Sequence, residues 1–133
     1  MAKKHTTSGA VELNTLLSRL NQEGHFSISV LADAQGLPIA SAEQEGLDPD
    51  RQSAVVALIQ KTAVQASRQL GMQKTDEITL YDAGGQRLIC RPIQVNGFDL
   101  ILAVMAPDRT QSYRRITNSA ITRIAHIWSE YWG

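Results

Sequence analysis

Three histidines, one cysteine and a few clusters of charge are the groups in this chain with chemistry to offer. A protein metal site wants two or more ligands at a fixed spacing, such as histidines at i and i+4 on a helix. His5, His25 and His126 are far apart in sequence and fall in separate elements, so no metal site is expected. Cys90 is the only cysteine, which excludes an intrachain disulfide and a four-cysteine zinc site. A reactive thiol needs a cationic neighbour or a helix N-terminus. Strand alternation turns the adjacent Arg91 to the opposite face, so Cys90 reads as a small buried hydrophobe beside Leu88 and Ile89. Gly84-Gly85 is not a phosphate loop, and neither G-x-x-x-x-G-K-[ST] nor G-x-G-x-x-G occurs. No nucleophile, base and orienting group form a set, so the chain is expected to be no enzyme and to need no cofactor.

The charges point to contacts with other molecules. Glu43, Glu45, Asp48 and Asp50 do not follow the EF-hand spacing. They read as a solvated loop ending in a helix cap, with an acidic rim able to steer a basic partner. Glu45, Asp48 and Arg51 are therefore candidate partner-contacting residues. Arg114, Arg115 and Arg123 read as the polar side of an amphipathic helix. Thirteen basic and thirteen acidic residues give a net charge of zero, which argues against generic nucleic-acid binding and permits self-association.

These groups need a scaffold. A chain of 133 residues, 43% hydrophobic and 20% charged, fits one folded domain. No apolar run approaches the roughly 20 residues of a membrane helix. Met1-Ala2-Lys3-Lys4-His5 leads into no apolar stretch, so no secretory signal is expected and a cytoplasmic location is. Residues 1–9 read as a flexible tail and 10–133 as a single domain. A first helix is expected over Ala10 to Gln22, with Leu13, Leu16, Leu17 and Leu20 on one stripe, Ser8 as its cap and Gly24 as its stop. Phe26, Ile28 and Val30 alternate with Ser27 and Ser29, whose small side chains would let a helix lie close. Asp33 to Gly36 is a turn, and Leu37 to Ser41 a short strand kept at an edge by Pro38.

Asp48 and Pro49 open a second helix running to about Leu70. Val55, Leu58, Ile59, Thr62, Ala63, Ala66 and Leu70 read as its inner stripe. Val56, Gln60, Ala63 and Ser67 read as a flank able to meet a partner helix. Three strands follow: Glu77 to Tyr81, Gln86 to Val95 with a kink or bulge at Pro92, and Phe98 to Met105. The last two are joined by the hairpin signal Asn96-Gly97. Leu100 to Met105 is continuously apolar, so this strand should be covered on both faces. A third helix, about Thr110 to Tyr131, carries Tyr113, Ile116, Ala120, Ile124, Ile127 and Trp128 on one face. Trp128, Tyr131 and Trp132 could cover the sheet or face a partner.

The order of elements, the segment Gly36-Leu37-Pro38-Ile39-Ala40-Ser41 and the alanine-rich helix after an acidic loop resemble the Roadblock / dynein light chain family. The resemblance runs from about Val11 to Trp128. It implies an α+β sandwich: a five-stranded antiparallel sheet with the second helix on one face and the first and third on the other, as in profilin- and longin-like layers. It implies a homodimer paired through Glu77, Ile78, Thr79, Leu80 and Tyr81, with Gln52, Val56, Gln60, Ala63 and Ser67 beside the partner helix. It further implies a scaffold or activating partner for a Ras-like small GTPase, with Arg51 or Arg68 conceivable as an arginine finger. A small-ligand sensor of profilin, longin or PAS/GAF-like architecture is the alternative; it would need an interior pocket, and the strands look filled.

Overall fold

The computed structural model describes residues 6–42 and 48–133. Its elements run α1 (Thr6–Gly24), β1 (Ile28–Asp33), β2 (Pro38–Ala42), α2 (Pro49–Gln69), β3 (Ile78–Tyr81), β4 (Arg87–Val95), β5 (Phe98–Ala106) and α3 (Arg114–Tyr131). The strands form one antiparallel sheet in the order β2-β1-β5-β4-β3. One layer of core lies between the sheet and α1 with α3, built from Leu13, Leu17, Leu31, Ile89, Leu102 and Ile124 among others. The other, smaller layer lies under α2 and holds Val56, Ala57, Cys90, Ile101 and Ala103. This is the expected sandwich.

Local chemistry explains most boundaries. Asp48 caps α2, its Oδ1 accepting the N–H of Asp50 at 3.0 Å, and proline stands in the first turn. Asn96 and Gly97 both take positive φ, 51° and 82°, as the tight β4–β5 turn requires. Ser29 is fully buried beneath α1 and its hydroxyl donates to the Leu17 carbonyl at 3.2 Å, so a small residue there does admit a close helix.

Several boundaries differ from the sequence pattern. α1 begins at Thr6, so Ser8 lies inside the helix, and residues 6–9 are helical and not tail. Gly9 is enclosed there: a Cβ on it would stand 2.7 Å from the Tyr131 ring. Residues 1–5 lie outside the described residues. Phe26 precedes β1 and packs on the α1 side, whereas Val30 pairs with Ala103 on the α2 side, so the two do not share a face. α3 starts at Arg114, because Asp108 holds Thr110 in a turn through its backbone N–H at 2.9 Å. Pro92 makes no bulge; it pairs in register with Ile101. β3 pairs with β4 only as far as Cys90, so the outer side of Pro92 has no strand to receive an N–H.

The β1–β2 turn touches α2 where Gly36 has φ +90°, and a Cβ there would lie 3.2 Å from the Ala54 backbone. Gly36→Ala is expected to destabilise the fold by about 1–3 kcal/mol, from left-handed strain plus the lost close approach. Urea unfolding checks this.

Candidate interaction surface

The sheet has two edges, and they are treated differently. At β2, Asn14 of α1 accepts the Ser41 N–H at 3.1 Å and Asn21 donates to the Ala42 carbonyl at 2.9 Å. Pro38 removes a further donor from that edge. At β3, no described group outside β4 bonds the main chain of Ile78 to Tyr81. Unpaired edges of this kind template pairing with another chain. Leu80 and Tyr81 are 49% and 62% exposed, so this edge is apolar as well as open.

The edge is held rigidly. Glu77, just before β3, accepts from Thr79 Oγ1 at 2.8 Å, Tyr113 Oη at 2.6 Å and Arg114 Nη1 at 2.7 Å. Arg114 also bonds Asp76 at 2.7 Å, which ties the β3 entry to the first turn of α3. Partial burial opposes the charge on Glu77, but the bonds from Tyr113, Thr79 and Arg114 and the arginine's charge outweigh it and hold the carboxyl below its ordinary range. The bond to Glu77 raises the Tyr113 phenol in turn. Beside this latch lie two buried arginines. Arg91 donates to Thr117 and Asn118, both at 2.8 Å, and Arg87 donates to the Asp108 carbonyl at 3.0 Å and to the Gln111 carbonyl. The Arg87 guanidinium also stands 5.9 Å from the Tyr81 ring centre and 5.3 Å from that of Tyr113. The sequence held a signal for these: Arg87 and Arg91 alternate with Ile89 and Ile93 on a core-facing strand face.

On α2 the two expected stripes exchange roles. Val56, expected to face a partner, is 3% exposed and packs on its own sheet. Gln52, Gln60, Ala63 and Ser67 are half-buried, and the side-chain oxygens of Gln52 and Gln60 are buried without a hydrogen-bond partner. Val55, Leu58 and Leu70, expected inside, are 47%, 64% and 75% exposed, and Thr62 and Ala66 are also exposed. The physical reason is volume. Ser53, Val56 and Ala57 let the helix axis lie close over Cys90 and Ala103, and larger residues would hold it off. Ile59 is half-buried and, like Ile78 and Leu88, packs against the small core under α2. The outward apolar face therefore runs along the β3 side of α2.

Other candidate residues sit apart. Asp48 and Arg51 are exposed at the start of α2; Glu45 lies outside the described residues. Burial pushes the Cys90 thiol up to about 12, which leaves it unreactive as a thiolate. His5 is outside the described residues, while His25 is exposed in the turn after α1 and His126 is exposed on α3. Trp128 and Tyr131 are buried in the α1–α3 seam: Trp128 meets Phe98 edge-on at 5.4 Å and stacks on Trp132 at 4.6 Å, and the Tyr131 hydroxyl donates to Glu12. Those aromatics close the fold.

No family model and no curated protein sequence matches the chain. Solved structures do. MglB of Myxococcus xanthus superposes with a TM-score of 0.77 at 19% identity, over 97% of this chain and 93% of that one. The gliding protein MglB of Thermus thermophilus gives 0.73 at 18%, over 98% and 96%. A Roadblock/LC7 domain from Streptomyces avermitilis gives 0.70 at 17%, over 87% and 93%. The chain therefore has a Roadblock-like fold.

Two outcomes follow from this geometry. Val56→Ala should cost about 2 kcal/mol, whereas Leu58→Ala should stay within about 0.5 kcal/mol, in urea unfolding of protein dilute enough to be monomeric. Glu77 has a lowered folded-state pKa, so its contribution is fully present above the ordinary value of 4.5 and is lost as pH falls through the lowered one. Melting temperature measured down the acid limb should fall less steeply in Glu77→Gln than in the parent.

Proposed function

We propose that this chain is a non-catalytic homodimeric module that binds and regulates a Ras-like small GTPase in the cytoplasm, as scaffold or activating partner. The observation that carries the reading is the open β3 edge lying beside the outward apolar face of α2. Pairing β3 with its copy across a two-fold axis would satisfy the free main-chain groups and continue the sheet through two chains. The same axis would bring two α2 helices together and take Val55 and Leu58 out of water. Compared with the expectation from sequence, the proposed helix contact is Val55, Leu58, Thr62 and Ala66 in place of Gln52, Val56, Gln60, Ala63 and Ser67. The strand contact, Glu77 to Tyr81, stays.

The Roadblock-like fold supports the GTPase partner. The chemistry required of such a module is modest: holding a GTPase's own catalytic residues in a reactive arrangement accelerates hydrolysis without a new catalytic group. The start of α2, with Asp48 and Arg51 exposed, would form the rim that a partner meets.

Light scattering should give twice the chain mass at tens of micromolar. Val55→Asp with Leu58→Asp should weaken the dimer at least about tenfold while the far-ultraviolet dichroism is unchanged. A wild-type monomer, or a double variant that dimerises equally well, sinks the interface. Small GTPases of the source cell, loaded with GDP or a GTP analogue and passed over the immobilised protein, test the partner. Capture of none in either state sinks that part.

A further inference from the structure

On the flank of α2 away from Val55 and Thr62, the second half of the helix stands off the sheet. A groove of about 660 Å³ opens between it, the β1–β2 turn, the segment 72–75 and the β4–β5 hairpin. Its floor is apolar: half-buried Pro92 from the sheet and Val64 from the helix, over the buried Ile101. Its walls carry Lys61, Arg68 and Lys74 against the single carboxylate of Asp99. Among the described residues no acidic group lies within ion-pair distance of these three cations. In a chain whose net charge is zero, three cations against one carboxylate are a local excess of positive charge. At the helix wall the Gln60 side-chain oxygen is buried and lacks a donor.

We infer that this groove docks an acidic peptide segment of a partner protein, anchored by apolar side chains on the floor. The cations and the floor each have a counterpart in such a segment. Carboxylates would pair with Lys61, Arg68 and Lys74, and apolar side chains would cover Pro92 and Val64. A nucleic-acid backbone matches the cations but offers nothing for the floor. A small anion would sit mostly in water, because the groove is open along its length, whereas small-ligand sites bury most of their ligand. Lys61 and Arg68 lie on the flank of α2 away from Val55 and Thr62, whereas Lys74 lies in the segment that also borders the β3 entry.

The test uses the full chain and a random peptide library displayed on phage. Panning should enrich sequences that combine aspartate or glutamate with large apolar residues. The leading peptide, labelled with fluorescein, should bind Lys61→Glu/Arg68→Glu/Lys74→Glu at least about tenfold more weakly than wild type, and should weaken as sodium chloride is raised. Lys61→Glu/Arg68→Glu, confined to the far flank of α2, serves if the triple variant does not fold. Absence of acidic enrichment, or equal binding to the charge-reversed protein, overturns the inference. Complete displacement of the peptide by millimolar inorganic phosphate or ATP also overturns it, in favour of a small-anion site. Light scattering on the same variants separates this outcome from the dimer, which charge reversal on this flank should leave intact.

Discussion

Leu100 to Val104 are at most 2% exposed, so the middle of β5 has no face turned to water. That one constraint arranges the rest. A strand buried on both sides needs helices on both sides, which places α2 opposite α1 and α3. It also needs strands on both flanks, which puts β1 and β4 beside it and pushes β2 and β3 to the edges. The two edges then have separate fates. α1 lies close enough to β2 for Asn14 and Asn21 to take up its main-chain groups. α3 meets β3 only at its entry, through the Glu77 latch, and leaves the strand's outer side open.

The helix on the thinner side of the sandwich follows a rule of volume, not of hydrophobicity alone. Its contact with the sheet is made by Ser53, Val56 and Ala57, while Val55 and Leu58 face outward. Such an arrangement leaves apolar area in water that a monomer would otherwise bury, roughly 1.5–3 kcal/mol for each large side chain. Single exposed hydrophobes are ordinary; a row of them beside an open strand edge is a surface shaped to be covered. The buried arginines serve a different end. The Nη groups of Arg87 and Arg91 donate to carbonyl, hydroxyl and amide oxygens of the α3 entry, so the first turn of α3 is fixed to β4.

Some of this was readable from letters alone. Asp48-Pro49, Asn96-Gly97 and the apolar run of β5 each act through local chemistry, a cap, a turn and a two-sided burial, and each appears where the sequence puts it. Other features resisted. The apolar residues of α2 span more than half its circumference, so periodicity cannot say which part of the arc meets the sheet. Pro92 looks like a defect in a central strand until the short length of β3 shows that its outer side is bare. The start of α3 depends on Asp108 folding back on Thr110, a turn that competes with the helix and leaves no periodic signature.

The sequence by itself determined the order of the elements, the double burial of β5 and the edge position of β2, because these rest on alternation, turn residues and a missing N–H. It also determined that Cys90 and Arg91 point apart. Only the tertiary structure decided which face of α2 is inner, which sheet edge stays open, and that Glu77, Tyr113 and Arg114 converge. Those outcomes depend on side-chain volumes meeting across the sandwich and on residues more than thirty positions apart coming within hydrogen-bond reach. The same is true of the groove beneath Lys61 and Arg68: it exists because small residues draw the first half of α2 onto the sheet while the second half stands clear.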